Sequence, residues 1–411
     1  MPEATCTRVP LAILGAGHVG LPLALTFAEA GFSVTVIERD AARAAALAAG
    51  RSPLSHLADA RVAAARLRVA SDAAAASACM AVLVCVPTPL TATGEPDLSG
   101  LVSAVTALAS VMPPAALLVI ESTSWPGTLR TVVQPLLARA GRGDVRLACS
   151  PEREDPGNAA FPLRAIPKLV GALDDAARDA ACALYAAAIA RVVPVASAEI
   201  AEAAKLFENT FRLVNIALVE ELRTSFAAMG VDIHAVIDAA ATKPFGFLPF
   251  RPGPGAGGPC IPVSPRFLAW RARACGAPAT LVEHACAIDD AVPQQVVERV
   301  RAVLAERGKP LTGARVLVAG IAYKPEVADV RGSAGVRILD LLAAAGAVVA
   351  YHDPLVPALA DGLRSVPLVG HDLIVLAADH AALRDGALLA AGVPVIDTRQ
   401  ALADHPLVMR M

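Results

Sequence analysis

The chain has 411 residues, 55% hydrophobic and 18% charged, with 36 basic and 38 acidic side chains and a net charge of −2. That length has room for two or three domains with large cores. The near balance of charge excludes the basic footprint of a nucleic-acid binder and the polybasic surface of a membrane-associated protein. No basic-then-apolar leader opens the sequence, and Leu11–Leu14 reads as the start of a strand. The most apolar window, 101–120, is broken by Pro113-Pro114 and reads as helix, turn and strand, not as a membrane span. The eight cysteines form no CxxC pair, and neither they nor the eight histidines have metal-ligand spacing. No metal site is expected, and a cytoplasmic protein with reduced thiols is the plain reading.

The first predicted domain covers residues 1–196. A short apolar run at 9–14 leads into Gly15-Ala16-Gly17-His18-Val19-Gly20 and a helical pattern ending at Gly31. A second apolar run, 34–37, ends at Glu38. Strand, GxGxxG, helix, strand and acid in that order read as a dinucleotide-binding unit. The glycines permit a tight turn and close approach of a pyrophosphate to the helix N-terminus. Gly15, Gly17, His18, Val19 and Gly20 are therefore expected cofactor contacts. Glu38 is placed to accept both ribose hydroxyls, which selects NAD, because a carboxylate repels the 2′-phosphate of NADP. Arg39 beside it leaves NADP open; otherwise it is a solvated charge or stacks on adenine. Strands predicted over 81–86, 117–121 and 145–149 end in Pro87-Thr88-Pro89, Ser122-Thr123 and Ser150-Pro151-Glu152. Ligands of doubly wound sheets bind at such ends. Pro87, Thr88 and Thr123 are thus candidate cofactor contacts and Glu152 a candidate acid/base, and each is equally a cap or turn former.

The second predicted domain, 197–297, opens with Ser197, placed to cap a helix that runs to Met229 and stops at Gly230. Such a helix is roughly 50 Å long and typically bridges domains or subunits. Ile200, Phe207, Phe211, Val214 and Leu218 recur at helical spacing and are expected to form a core stripe. Lys205 and Asn209 share a face, with Glu202 three residues before the lysine. They are either a solvated face with a Glu–Lys pair, or a lysine and an amide aimed at Cys260. Next comes 242–265, TKPFGFLPFRPGPGAGGPCIPVSP, whose seven prolines and five glycines rule out a helix or a central strand. Phe245, Phe247, Phe250 and Ile261 are too apolar for a solvated linker. A loop of this kind lies against a packed surface and lets a ligand approach its backbone. It delivers one thiol, Cys260, which is either a nucleophile in a substrate cradle or a buried, inert cysteine.

The third predicted domain, 298–411, repeats the first without its GxGxxG. A strand at 315–319 is followed by Gly320-Ile321-Ala322-Tyr323-Lys324, a helix over 333–345 and a strand at 348–351 ending in His352-Asp353-Pro354. Strands at 373–377 and 393–396 complete a second parallel sheet. The pattern implies a second nucleotide-type crevice for a different ligand. Lys324 and Arg331 stand at its mouth as phosphate holders, or as members of a charged loop.

The stretches GAGHVGLPLA, VCVPTPLT, ESTSWPGT, SPEREDPGN, EAAKLFENTFRLVNIALVEEL, TKPFGFLPFRPGPGAGGPCIPV, GIAYKPEVADVR and YHDP follow in fixed order. Through them the chain resembles the UDP-glucose/GDP-mannose dehydrogenases over nearly its whole length, most closely the branch that oxidises C6 of UDP-N-acetylhexosamines. The resemblance implies an α/β fold of two Rossmann-like, doubly wound parallel-sheet domains joined by a central helical domain. It also implies a homodimer formed by the long helix, NAD in the first domain and the UDP-sugar in the last. Cys260 would be the nucleophile, with Lys205 and Asn209 holding the oxyanion and the catalytic water. Glu152 would serve the hydrolytic step, and Thr123 would orient that water. Thr88 and Thr123 would lie by the nicotinamide. Lys324 and Arg331 would reach the sugar nucleotide and the cofactor, Arg331 in one arrangement from across the dimer, and Arg251 would contact a phosphate. Arg153, Arg212, Phe250, Gly253 and Gly257 complete the expected substrate contacts.

The chain departs from the family pattern GGHCIPVDP. Pro259 stands for the histidine, Ser264 for an aspartate, and Gly332 for a glutamate usual after the arginine. A serine holds Lys205 charged far less than an aspartate does. Lys205, or water held by it and Ser264, is therefore expected to take the C6 hydroxyl proton; the alternative is that Ser264 is a tolerated replacement with water filling the gap. The implied activity is an NAD-dependent, four-electron oxidation of a UDP-hexose, UDP-N-acetylglucosamine first among them, to the uronic acid. Two alternatives stand: altered chemistry on another nucleotide sugar, and a binder that kept the fold without the activity.

Overall fold

The computed structural model describes residues 9–155, 158, 160–384 and 386–411; Cys6 and the Pro156-Gly157 pair of SPEREDPGN lie outside them. The chain forms two compact units, Met1–Glu208 with Trp270–Pro278, and Asn209–Ala269 with Ala279–Met411.

In the first unit the short apolar runs become strands because helices cover both faces of the sheet. The strands are β1 (Leu11–Leu14), β2 (Val34–Ile37), β3 (Arg68–Ala70), β4 (Ala81–Val84), β5 (Leu117–Ile120), β6 (Arg146–Cys149), β7 (Lys168–Ala172) and β8 (Val192–Pro194). They lie in the order β3-β2-β1-β4-β5-β6-β7-β8. Only β6 and β7 run antiparallel; the other neighbours are parallel. The order reverses between β1 and β4, which opens a crevice at their C-terminal ends. Leu11, Ile13, Leu23, Phe27, Leu83 and Val119 fill the core. Three strands go beyond the sequence expectation. β3 and β8 are three-residue strands at the sheet edges, and β7 begins with a lysine.

The second sheet comprises β9 (Arg315–Ala319), β10 (Val348–His352), β11 (Leu373–Leu376), β12 (Val395–Asp397) and the unforeseen β13 (Val408–Arg410). It is all parallel, in the order β10-β9-β11-β12-β13. Both sheets use one device. In the first, the carboxylate after β2, Glu38, accepts the N–H of Ala16, just past β1 (2.9 Å). In the second, the carboxylate after β10, Asp353, accepts the N–H groups of Ile321 (2.7 Å) and Ala322 (3.0 Å) past β9. Asp353 also takes Leu355 N–H, Val356 N–H and the Nε2 of His380. His380 Nδ1 accepts from Glu326 N–H, so Nε2 carries the proton and donates. Asp353 is thereby consumed inside its loop, whereas Glu38 keeps spare lone pairs.

The long helix spans Ala198–Ala228, with Ser197 Oγ accepting the N–H of Ile200 and Gly230 at φ +72° as its stop. Its apolar stripe is not core. Ile200, Phe207, Phe211 and Leu218 are 48%, 68%, 43% and 51% exposed, and Val214 is half-buried. The buried side carries Ala201, Glu202, Lys205, Leu206, Asn209 and Leu213. Periodicity locates an apolar face but not what covers it. The loop after the helix is likewise only partly packed. Phe250 and Ile261 join small apolar clusters, while Phe245 is 70% exposed. Among the described residues no helix is long and apolar enough to cross a membrane, and no group of His, Cys, Asp and Glu could hold a metal ion.

Candidate active site

In the first unit the three loop glycines do different work. Gly15, at φ +94°, would put a Cβ 2.7 Å from the carbonyl of Cys85, and Gly20 would put one 1.8 Å from the carbonyl of Gly15. Gly17 faces open space, where a pyrophosphate can reach the backbone and the N-terminus of helix Gly20–Glu29. His18 stacks on His56 at 5.5 Å. Val19, beside it, is half-buried. Glu38 is buried, its second oxygen accepting Asp40 N–H (2.9 Å), and is thus pinned at the end of β2 with lone pairs left for a ribose. Arg39 is exposed. Across the switch point, Thr88 Oγ1 donates to the Thr123 carbonyl (2.7 Å), tying the ends of β4 and β5 together, and Pro87 is exposed beside them. These residues fit a dinucleotide.

Glu152 sits deeper than a free acid/base. One of its oxygens accepts the N–H groups of Arg153 (2.6 Å) and Glu154 (2.8 Å), and the other meets Lys168 Nζ at 2.7 Å. The same ammonium meets Glu121 at 2.6 Å, and the Tyr185 hydroxyl donates to the other oxygen of Glu121. Burial works to raise the Glu152 pKa, but Lys168 and the two N–H bonds outweigh it and hold the carboxyl below its ordinary value. Burial raises Glu121 to about 7 against the pull of Lys168. Burial works to lower Lys168, and Glu121 and Glu152 together raise it instead. Arg153, an expected substrate contact, forks onto Glu208 (2.7 and 3.2 Å) and donates to the Pro167 carbonyl.

Glu202 and Lys205 are both buried, so they do not form a solvated face. Glu202 caps the Gly127–Leu129 turn, accepting Gly127 N–H (2.6 Å) and Leu129 N–H (2.9 Å). That turn follows Thr123 in sequence, so the capping carboxylate fixes the segment leaving β5.

In the second unit Cys260 is exposed, not buried. Its carbonyl accepts Ser264 N–H (2.9 Å), which sets the residue just ahead of helix Ser264–Ala274. The loop bearing it is seated by glycines. A Cβ on Gly257 or Gly258 would strike Tyr323 at 3.0 and 2.8 Å, and one on Gly332 would strike the Gly258 carbonyl at 2.9 Å. Gly258 N–H also donates to the Gly332 carbonyl (3.2 Å). The glutamate of the family pattern has no room at 332 in this arrangement. Asn209 is buried, and its Nδ2 donates to the buried Ser264 Oγ (2.9 Å), so serine and amide form one unit.

Arg331 pairs with Asp329 through both Nε and Nη2 within its own chain. Asp329 raises its pKa, with a smaller share from Cys260. The Lys324 ammonium lies 5.8 Å from the Tyr323 ring centre. Arg251 pairs with Asp238 at the surface, and Arg212 is exposed on the long helix. Phe250 packs edge-on against Phe211 at 5.9 Å. Gly253 N–H donates to Glu220 (2.5 Å), and a Cβ there would lie 2.9 Å from Nη1 of Arg399.

Sequence reasoning did not find Lys168, Glu121, Tyr185 or Arg399. Arg399 is half-buried, donates from Nε to the Ala377 carbonyl (2.9 Å), and forms no ion pair among the described residues. Its signal was its place two residues beyond the end of β12, where doubly wound sheets bind ligands. Lys168 opens a short apolar run and reads as a solvent-facing strand end; its carboxylate partners lie 47 and 16 residues away.

Models of the UDP-glucose/GDP-mannose dehydrogenase family match in order: the NAD binding domain over residues 9–189, the central domain over 199–291 and the UDP binding domain over 317–404. The chain is 33% identical over 359 residues to a UDP-N-acetyl-D-glucosamine 6-dehydrogenase of Pseudomonas aeruginosa, covering 85% of this chain and 83% of that one. It is 30% identical over 381 residues to a UDP-N-acetyl-D-mannosamine dehydrogenase of Pyrococcus horikoshii, covering 90% and 89%. The solved structure of a UDP-D-ManNAc dehydrogenase from Pyrococcus horikoshii superposes with a TM-score of 0.89 at 28% identity, over 98% of both chains. The chain therefore belongs to the UDP-glucose/GDP-mannose dehydrogenase family, and it is an NAD-dependent nucleotide-sugar dehydrogenase.

Proposed function

We propose that the protein oxidises C6 of a UDP-N-acetylhexosamine, UDP-N-acetylglucosamine first, from alcohol to acid, with Cys260 as the covalent nucleophile. The observation that carries this reading is the exposed thiol held ahead of a helix by a glycine-seated loop. NAD, held by the Gly15–Gly20 loop and Glu38, supplies the hydride acceptor for each of two oxidations. Between them the Cys260 sulfur adds to the C6 aldehyde, giving a thiohemiacetal whose oxidation leaves a thioester. Covalent capture lets one site oxidise twice without losing the aldehyde. Lys205 and the Asn209–Ser264 pair would hold the oxyanion and the attacking water, and Glu152 would take that water's proton. Arg399, Lys324 and Arg331 would serve the nucleotide's phosphates and ribose. Pro259 and Ser264 favour a second reading, another nucleotide sugar.

A UDP-sugar panel assayed with NAD tests both. Two NADH per sugar with uronic acid as product is the expected result. One NADH with free aldehyde, or binding without NADH for any sugar, would overturn it.

The exposed stripe of the long helix supports a homodimer. Ile200, Phe207, Phe211 and Leu218 fall on one side of the helix, and four large apolar side chains exposed together call for a partner. Phe207→Glu with Phe211→Glu is expected to halve the mass seen by light scattering. An unchanged mass would assign the stripe elsewhere.

A further inference from the structure

Four elements of the first unit converge on one buried ammonium. Glu121 follows β5, Glu152 follows β6, Lys168 opens β7, and Tyr185 comes from helix Asp175–Ala186. Lys168, Glu121, Glu152 and Tyr185 are all buried. Lys168 Nζ lies 2.6 Å from one carboxylate and 2.7 Å from the other. The cluster holds two carboxylates against one ammonium, so with both ionised it carries an uncompensated negative charge away from water. Such a charge is costly, and taking up one proton removes it.

We propose that Lys168 and Glu121 are positioning residues that carry away the proton Glu152 takes from the water attacking the Cys260 thioester. The proposal rests on the function proposed above. In that step the water oxygen bonds to the thioester carbon, its proton passes to Glu152, and the carbon–sulfur bond breaks to return the Cys260 thiolate. Lys168 then gives one of its protons to Glu121 as it receives the proton from Glu152. The ammonium is unchanged, and one proton has moved from Glu152 to Glu121. Glu152 is a poor resting place for that proton, since Lys168 and two backbone N–H groups favour its ionised form. Glu121 is a better one, and its raised pKa agrees. The other ionisable groups facing the cluster are the buried Cys85 thiol and Glu154. Burial keeps the Cys85 thiol protonated, so it cannot serve as the acceptor. Glu154 donates its N–H to Glu152, and burial with the neighbouring Glu152 charge raises its own carboxyl to about 7, but no hydrogen bond joins that carboxyl to Lys168 among the described residues.

Glu121→Gln keeps the side-chain shape and removes the acceptor. Single-turnover release of uronic acid by wild type is expected to show an acid limb near the pKa of Glu121. In the variant that limb is expected to vanish and the rate at pH 8 to fall about tenfold or more, with NAD affinity retained. Infrared difference spectra of wild type are expected to show buried carboxylic acids that titrate over this range, Glu154 and Glu202 among them. The Glu121 band should be lost from that set in Glu121→Gln and kept in Cys260→Ala. Should Glu121→Gln fail to fold, Tyr185→Phe serves. It removes a hydrogen bond to the ionised form of Glu121, so the limb is expected to move to higher pH. A limb that persists unmoved in these variants, or a carboxylic-acid spectrum that Glu121→Gln leaves unchanged, overturns the relay alone. Wild-type protein that makes no uronic acid from any UDP-sugar overturns the functional reading, and the relay with it.

Discussion

Cys260→Ala is expected to fold, to bind NAD with unchanged affinity, and to lose uronic acid formation by about 10³-fold or more. The fold survives because the side chain is exposed, so removing its sulfur leaves no core cavity. The reaction fails because, among the described residues, no other thiol can replace it. Cys79, Cys85, Cys149 and Cys286 are buried, and burial raises all four, Cys286 to about 11. Cys182 is half-buried and is also raised by burial. Cys275 is exposed but follows the C-terminal end of helix Ser264–Ala274, the end away from Cys260. Product analysis by mass spectrometry checks the result. Accumulated aldehyde, or a slow first oxidation with one NADH, fits the covalent route. Uronic acid at the wild-type rate would end it.

What could be read from the sequence depended on whether the information was local. The glycine loop and Glu38 were legible because each residue's job is set by its distance along the chain from β1 and β2. The strands β4, β5 and β11 were legible because burial on both faces makes them unbroken apolar runs, and β6 and β9 because only their first residue, an arginine, breaks the run. The short strands β3, β8 and β13 carry too few residues to show a period. The stripe on the long helix was found, but its destination was not, because a subunit surface and a core ask for the same residue types. The seat of Cys260 was illegible for another reason. Gly332 looked like the loss of a functional glutamate, and only the approach of the Gly258 carbonyl shows what the missing side chain makes room for. Asn209 and Ser264, 55 residues apart, gave no sign of being hydrogen-bonded to each other.

Lys168→Met is expected to be the most destabilising single change in the first unit. The lysine is the only cation between Glu121 and Glu152 among the described residues, and all three side chains are at most 6% exposed. Methionine fills the volume but leaves two buried carboxylates without a counter-charge. Removing one partner of a buried pair costs about 3–5 kcal/mol. The loss should depend on pH in a definite direction. Without Lys168, burial is expected to raise both carboxyls above their values in the unfolded chain. Between the two values the folded protein holds protons that the unfolded chain has released, so stability falls as pH rises. The variant is therefore expected to lose most at pH 8 and to recover part of the loss at pH 5.5. Wild type should show the same sign more weakly, because burial raises Glu121, Glu154 and Glu202 to about 7. The lowered Glu152 opposes this only below the ordinary glutamate range. Adding Glu121→Gln to Lys168→Met removes one of the stranded charges and is expected to restore part of the stability at pH 8. Urea denaturation at the two pH values measures all of this. A loss below about 1 kcal/mol, the size of an exposed surface pair, and the same at both pH values would mean that water reaches the cluster. Lys168 would then be a surface cation, and the proton path from Glu152 to Glu121 would have no buried charge to drive it.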